Sequence, residues 1–121
     1  MKRLIIDVDD TICMTEDGDY KNSKPKTDVI NKIKEYKNRG FEIVLYSSRN
    51  MRTFGGNTGK ITIHTVPVLL EWLKQNEVPF DELYVGKPWC GTEGFYVDDK
   101  AIRPDEFATL SYDEIKKLLK I

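Results

Sequence analysis

Residues 2–11 of the chain read KRLIIDVDDT, and this stretch decides the fold. The part from Lys2 to Val8 is short, apolar and rich in β-branched residues, which is typical of a strand buried on both faces. It ends in an acidic cluster formed by Asp7, Asp9 and Asp10. We therefore predict a buried first strand that ends in an acidic cluster.

The pattern of an apolar run followed by polar residues recurs three times along the chain. The later runs are residues 41–46, 83–85 and 94–97, and the polar residues after them are Ser47, Lys87 and the pair Asp98 and Asp99. Each run has the length and composition of a strand. The chain is therefore expected to contain four strands, each with polar residues at its end.

Helical patterns separate most of these runs. The first predicted helix has Pro25 in its first turn and Gly40 just beyond its last turn, and the second runs over about 62–76 with Pro67 in its first turn. Pro104 opens a short helical turn, and the last helix begins at the capping box of residues 111–114. Residues 13–24 and 51–60 show no period and are expected to be loops. The resulting order, β-α-β-α-β-β-α, predicts a mainly parallel sheet covered by helices.

In such a sheet, ligands bind beyond the carboxyl ends of the strands. The residues expected at that edge are Asp7–Thr11, Ser47–Asn50, Lys87, and Asp98 with Asp99. Two carboxylates about 4 Å apart repel each other by ~4 kcal/mol at an effective dielectric constant of about 20. A cluster of them therefore favours a hard divalent cation such as Mg²⁺. A cation, a lysine and a hydroxyl together suit a phosphoryl group, which a carboxylate can accept as an aspartyl phosphate.

Composition excludes several other classes of protein. The chain has 121 residues, with 19 Lys and Arg against 20 Asp and Glu. We expect one domain over residues 1–121. The near-neutral charge argues against nucleic-acid binding. No apolar run approaches the roughly 20 residues of a membrane span, and no signal peptide is recognisable. Two distant cysteines form neither a zinc motif nor a disulfide framework. These features indicate a soluble, cytoplasmic protein.

The segment Asp7-Val8-Asp9-Asp10-Thr11 resembles motif I (D-x-D-x-T) of the haloacid dehalogenase (HAD) superfamily of phosphohydrolases. Ser47, Lys87 and the pair Asp98 and Asp99 are similar to its motifs II, III and IV, in the family's order. The stretches YSSRNM and GKPW also resemble a small branch associated with capsular polysaccharide biosynthesis. This resemblance implies a three-layer, Rossmann-like α/β fold and a Mg²⁺-dependent phosphatase that acts on a small phosphorylated metabolite, with a sugar phosphate as the favoured substrate.

The resemblance also assigns roles to individual residues. Asp7 would attack phosphorus, and Asp9 would protonate the leaving oxygen and later deprotonate water. Thr11 would buttress the loop and the bound substrate, Ser47 would bind a phosphoryl oxygen, and Lys87 would neutralise charge. Mg²⁺ would be held by Asp7, the main-chain carbonyl of Asp9, and the pair Asp98 and Asp99, with Asp99 favoured as the direct ligand.

Larger members of the superfamily carry a cap domain, for which this sequence has no room. Substrate selection would then fall to residues 13–24 and 49–61, or to a neighbouring subunit in a homo-oligomer that closes the site. Ser48 competes with Ser47 for the motif II role. The candidates for substrate binding are Ser48, Arg49, Asn50 and Arg52.

The sequence leaves two other functions open. A phosphoacceptor receiver domain has a similar length, an acidic pair after strand 1, a hydroxyl and a lysine. It also needs an isolated aspartate after strand 3, where this chain has Gly86 and Lys87. A non-catalytic binding domain is the third reading, and the intact acidic set argues against it.

Overall fold

A three-stranded parallel sheet lies within residues 1–89, the first of two units into which the chain divides; residues 90–121 form the second. The computed structural model describes all residues from 1 to 121. The sheet has the order β1-β4-β5, and its strands are β1 (Arg3–Asp7), β4 (Glu42–Tyr46) and β5 (Glu82–Tyr84). In the β1–β4 register Asp7 lies opposite Tyr46, and in the β4–β5 register Tyr46 lies opposite Tyr84. All three strands therefore end at the same edge, as predicted.

Helices flank this sheet, so the coarse expectation of an α/β fold is confirmed. The first unit contains α1 (Thr27–Asn38), α2 (Thr58–His64) and α3 (Val66–Gln75). The single helix expected over about 62–76 is therefore wrong, since the helical stretch begins earlier and is interrupted at Thr65. Pro67 does lie in the first turn of α3, where a missing N–H costs no hydrogen bond.

The segment expected to be a plain loop over residues 13–24 has regular structure. Strands β2 (Cys13–Met14) and β3 (Lys24–Pro25) pair in an antiparallel ribbon, and a 3₁₀ helix spans Tyr20–Asn22. Pro25 is consequently in a strand and not in the first turn of α1, which corrects the predicted helix start. Gly40 follows α1 with φ +90°, the left-handed conformation expected just beyond a helix.

The prediction that β1 is buried on both faces is wrong. Ile6 is buried, but the side chain of Ile5 is 66% exposed. Strand β1 is at the edge of the sheet, with β4 as its sole neighbour there. The β4 run fits its prediction better, because β4 is the central strand and Ile43, Val44 and Leu45 are all buried.

The second unit contains two helices, α4 (Pro104–Thr109) and α5 (Tyr112–Leu119). The capping box read from the sequence is present at the start of α5: Ser111 Oγ accepts a hydrogen bond from Glu114 N, and Glu114 Oε1 accepts one from Ser111 N. The fourth strand predicted over residues 94–97 is absent, and both sheets of the structure lack it. No helix in either unit has the length and apolar composition needed to cross a membrane.

Asp81 joins three elements of the first unit and is expected to make their stability depend on pH. Its carboxylate accepts hydrogen bonds from Lys37 Nζ (2.6 and 2.8 Å) and from Ile43 N (2.8 Å). These bonds, that from Lys37 first, hold the pKa of Asp81 below its ordinary value of 3.8. A lowered folded-state pKa means that the stabilisation is complete above that ordinary value and is lost as pH falls below it.

The Asp81→Asn variant should therefore melt at a lower temperature than the wild type at pH 7. Thermal unfolding followed by circular dichroism should show this gap narrowing below about pH 4. Asp113→Asn is the matched control, since Asp113 is 92% exposed and pairs with Lys116 within one helix. A gap that stays constant down to pH 3 would contradict the assigned role of Asp81.

Candidate active site

The carboxylate of Asp7, the last residue of β1, accepts hydrogen bonds from two side chains, those of Lys87 and Thr11. Lys87 Nζ donates to its Oδ1 at 3.2 Å, and Thr11 Oγ1 donates to its Oδ2 at 3.0 Å. The Asp7 side chain is 31% exposed and that of Lys87 is 17% exposed. The carboxylate is thus fixed in orientation, neutralised on one side and still open to solvent. A carboxylate that is oriented and accessible in this way can act as a nucleophile.

The backbone after β4 and β5 positions Lys87. Lys87 N donates to Ser47 O at 3.1 Å, and Ser47 N donates to Tyr84 O at 2.9 Å, which extends the β4–β5 pairing beyond the strand ends. Gly86 has φ +82°, and a Cβ there would lie 2.8 Å from Thr58 Cγ2. A glycine is therefore required to turn the chain so that Lys87 faces β1.

Ser47 itself is 1% exposed. Its Oγ accepts a hydrogen bond from Arg49 N at 3.0 Å, so the hydroxyl proton remains able to donate. The predicted role on a phosphoryl oxygen uses that proton. Ser48, by contrast, is partly exposed and its carbonyl closes a turn to Met51 N at 3.1 Å.

Asp9 forms a two-point ion pair with Arg49. Arg49 Nε donates to Asp9 Oδ2 at 3.1 Å, and Nη2 donates to Oδ1 at 2.9 Å. The Arg49 side chain is fully buried, whereas that of Asp9 is 26% exposed. The remaining nitrogen, Nη1, is buried without a hydrogen-bond partner. A planar guanidinium used in this way fixes both oxygens of the carboxylate.

The segment over residues 13–24 covers this ion pair. The ring of Tyr20 lies 4.2 Å from the guanidinium carbon of Arg49, a cation–π contact. Burial, together with the charge of Asp9, raises the pKa of the Tyr20 hydroxyl. Burial and the same charge raise the pKa of the Cys13 thiol to about 11, so Cys13 stays neutral beside Asp9 at physiological pH. The segment thus closes over Asp9 and Arg49.

A hydrogen-bonded chain anchors the segment to α3. Thr15 Oγ1 donates to Asp9 Oδ1 at 3.2 Å and shares a 2.6 Å hydrogen bond with Ser23 Oγ. Trp72 Nε1 donates to Ser23 O at 2.8 Å. Tyr20, Thr15 and Trp72 were not identified from the sequence. A polar segment next to D-x-D-x-T was the available signal, but its contacts depend on the three-dimensional path of the chain.

Arg49 and Asn50, which were expected to contact the substrate, make internal contacts in this structure. Arg49 is buried beneath Tyr20 and bound to Asp9, so its side chain is not presented to a ligand in this conformation. Asn50 has φ +61°, and its amide is used internally: Oδ1 accepts from Thr65 Oγ1 at 2.6 Å, and Nδ2 donates to Thr53 Oγ1 at 3.3 Å. Both residues therefore shape the loop after β4.

Asp98 and Asp99 belong to the second unit and interact with each other there. Asp98 Oδ1 accepts a hydrogen bond from Lys100 N at 3.1 Å, and this bond, followed by one with Asp99, lowers the pKa of Asp98. No three side chains of the His, Cys, Asp and Glu types gather closely enough to hold a metal ion. Asp7 supplies a hard oxygen ligand of the kind Mg²⁺ prefers, but the carboxylate of Asp9 is taken by Arg49. The carboxylate donors present are of the type that Mg²⁺ prefers.

Among solved structures, the chain is similar to the crystal structure of a structural genomics target from Vibrio cholerae. The two share 52% sequence identity with a TM-score of 0.97, over 99% of this chain and 98% of that chain. No protein-family model matches the chain, and neither does any curated protein.

Proposed function

We propose that this chain, which belongs to one family with that Vibrio cholerae protein, is a phosphomonoester hydrolase of the HAD type that acts through an aspartyl phosphate. The observation that carries the proposal is the Asp7 carboxylate, held between the Lys87 ammonium and the Thr11 hydroxyl at the carboxyl end of β1. Ligands bind at that edge in parallel sheets. The motif order and the parallel three-stranded sheet are both compatible with a HAD-like fold.

The proposed reaction has two displacements. An Asp7 oxygen bonds to phosphorus as the ester P–O bond breaks, and the leaving oxygen takes a proton from the Asp9 carboxyl group. Asp9 has to take up that proton before this step, at one of the two oxygens that Arg49 binds. A water molecule then attacks the phosphoryl group and gives a proton to Asp9, which releases inorganic phosphate and restores Asp7. Lys87 offsets the charge gathered on Asp7 and the phosphoryl oxygens, and the Ser47 hydroxyl donates to one of those oxygens.

Mg²⁺ is the proposed cofactor. Asp7 and the main-chain carbonyl of Asp9 would hold it, with further oxygen ligands from Asp98 and Asp99. When bound, it neutralises phosphoryl charge and so lowers the repulsion between the phosphate and the Asp7 carboxylate. Lys87 supplies one positive charge toward the same carboxylate, at 3.2 Å.

We propose a sugar phosphate as the substrate, following the resemblance to the polysaccharide branch. With Arg49 buried, Arg52 and Trp89 are the exposed side chains of the first unit that suit such a ligand. The Arg52 guanidinium lies 5.9 Å from the ring of Trp89, and Trp89 is 45% exposed. A flat aromatic ring beside a cation offers both an apolar surface and a charge to a phosphorylated sugar.

Release of inorganic phosphate is the test of this function. Purified protein should hydrolyse p-nitrophenyl phosphate and members of a panel of sugar phosphates with Mg²⁺, and should lose that activity in EDTA. A stable label from acetyl phosphate, without turnover, would instead favour the receiver function. Absence of both turnover and labelling would contradict the proposal and favour a binding domain.

Arg52→Gln should weaken binding of a substrate that carries a second anionic or hydroxyl group. We expect KM for the preferred sugar phosphate to rise about 10-fold, which corresponds to roughly 1.4 kcal/mol, with little change in kcat. Arg39→Gln is the matched control, because Arg39 also lies 5.9 Å from an aromatic ring, that of Tyr36. An equal rise in KM in both variants would argue against a substrate contact at Arg52.

A further inference from the structure

We propose that the segment Phe95–Val97 of one copy of the chain adds as a strand to the free edge of β1 in a second copy. The exchange carries Asp98 and Asp99 to the partner's Asp7. The strand exchange is independent of any activity, whereas its consequence for the metal ligands rests on the proposed function.

The donor segment is apolar and exposed. Phe95 is 79% exposed and Val97 is 88% exposed, with 52% for Tyr96 between them. The segment has the composition of a strand, yet it belongs to neither sheet of the chain. Three adjacent large apolar residues left at the surface mark an interaction site.

The acceptor is the outer edge of β1. This strand pairs with β4 on one side, and no strand of the sheet pairs with it on the other. Its Ile5 side chain is 66% exposed. An unpaired strand edge presents free N–H and C=O groups that accept a strand from another chain.

The acidic residues indicate β1, and not β5, as the docking edge. Neighbouring strands lie about 4.8 Å apart. Parallel addition beside β1 puts the end of the segment, at Asp98, one strand spacing from Asp7. Addition beside β5 would leave three spacings, about 14 Å, between them. The first arrangement brings Asp98 beside Asp7, where it would add a carboxylate to the proposed metal site.

The linker argues for a second copy as the occupant. To reach β1 of its own sheet as a parallel strand, the segment would have to cross from β5 over residues 85–94, which contain no helix. Parallel crossovers need about a dozen residues or more and are usually helical. Pairing with a second copy has no such restriction, and a two-fold axis lets each copy donate and accept one strand.

The buried area is sufficient for a stable dimer. Aromatic side chains bury roughly 150–250 Å² each, so the exposed parts of Phe95, Tyr96 and Val97 amount to about 400 Å² per copy. Reciprocal exchange doubles this area to about 800 Å², and the two β1 edges that the segments cover lose a comparable area. The total of about 1,600 Å² falls within the roughly 1,200–2,000 Å² of a standard interface.

Cross-linking tests the exchange without reference to activity. Ile5→Cys and Val97→Cys are made separately in a Cys90→Ser background; Cys13 is buried and stays neutral, with its pKa at about 11. The two variants are unfolded, mixed, refolded and treated with a short bismaleimide. We expect a covalent dimer that contains one copy of each variant. In the control, Ile63→Cys replaces Ile5→Cys, because Ile63 lies on α2 and is 70% exposed. This control should give no covalent dimer.

Two results would overturn the exchange. The double variant Ile5→Cys/Val97→Cys could give an internal cross-link within a monomer, which would show that the segment returns to its own sheet. Absence of any cross-link would show that the segment does not dock on β1. Neither result bears on the proposed phosphatase activity.

Complementation tests the shared site. Asp7→Asn and the double variant Asp98→Asn/Asp99→Asn should each be inactive alone. Refolded together, they should recover about a quarter of wild-type activity, because half of the dimers are mixed and each mixed dimer contains one intact site. No recovery, with an active wild type, would show that the ligands come from one chain. An inactive wild type would contradict the proposed function, and cross-linking would still decide the exchange.

Discussion

Replacing Asp7 by Asn is expected to abolish hydrolysis of phosphomonoesters, with a loss in kcat of roughly 10³-fold or more. In the proposed reaction an Asp7 oxygen forms the bond to phosphorus, and an amide lacks the negative charge that this attack requires. The amide has the same size as the carboxylate and its oxygen can still accept the hydrogen bond from Thr11. The variant should therefore fold, and its melting temperature should stay close to that of the wild type.

Asp10→Asn is the matched control for this prediction. It makes the same chemical change three residues later, at a position with φ +63°, a conformation that Asn tolerates well. The Asp10 carboxylate takes part in no described hydrogen bond, so activity should be retained. Single-turnover and steady-state assays of both variants with p-nitrophenyl phosphate provide the comparison. Full activity in Asp7→Asn would exclude Asp7 as the nucleophile.

The cluster around Asp7 could be predicted from the sequence because it follows from topology alone. Asp7 and Lys87 are 80 positions apart and meet at 3.2 Å. Each stands just past an apolar run, and parallel strands joined by helices must end at a common edge. Ser47 follows the same rule at the end of the central strand. No knowledge of side-chain packing was needed for these three positions.

The Asp9–Arg49 pair could not be predicted in the same way. An arginine after a strand is ordinarily a surface residue, and its burial here depends on Tyr20 and the β2–β3 ribbon that covers it. The strands of that ribbon have two residues each, too short for an alternating pattern to be recognisable. Roles that depend on which segment folds over another remain hidden from a single sequence.

The segment over residues 94–97 shows a different limit of sequence patterns. Its composition predicts a strand, but composition does not indicate which other strand it pairs with. The exposed Ile5 on β1 is the corresponding signal in the acceptor, since the sequence of β1 is that of a strand covered on both faces. In the proposed exchange, pairing between copies accounts for the segment that belongs to neither sheet and for the free edge of β1.

Arg49→Lys is also expected to lower activity strongly, through its effect on Asp9. Lysine keeps the positive charge but loses the planar fork that binds both oxygens of Asp9 at 2.9 and 3.1 Å. General acid–base catalysis contributes about 10²–10⁴-fold, and a misoriented Asp9 should lose much of it. We expect kcat to fall about 10²-fold. Unfolding in urea should also show a loss of about 2–3 kcal/mol, because the fully buried guanidinium is replaced by a poorer fit.

Dependence on the leaving group separates this positioning role from a merely structural one. p-Nitrophenolate departs without protonation, whereas the alkoxide of a sugar phosphate needs a proton from Asp9. Arg49→Lys and Asp9→Asn should both therefore lose more activity on sugar phosphates than on p-nitrophenyl phosphate. Arg3→Lys is the control, since Arg3 also binds two carboxylates, those of Glu42 and Glu82, but at an exposed position. Arg3→Lys should leave kcat unchanged on both p-nitrophenyl phosphate and sugar phosphates.

A double-mutant cycle completes the argument about Arg49. If Arg49 acts through Asp9, the double variant Asp9→Asn/Arg49→Lys should be about as slow on sugar phosphates as Asp9→Asn alone, because the second substitution has nothing left to misplace. Independent losses would instead multiply, giving a further fall of about 10²-fold in the double variant. That outcome, with an equal loss on both substrates, would assign Arg49 a role apart from Asp9. The buried Nη1 without a partner would then be the atom to investigate, since it is the part of the guanidinium that Asp9 does not use.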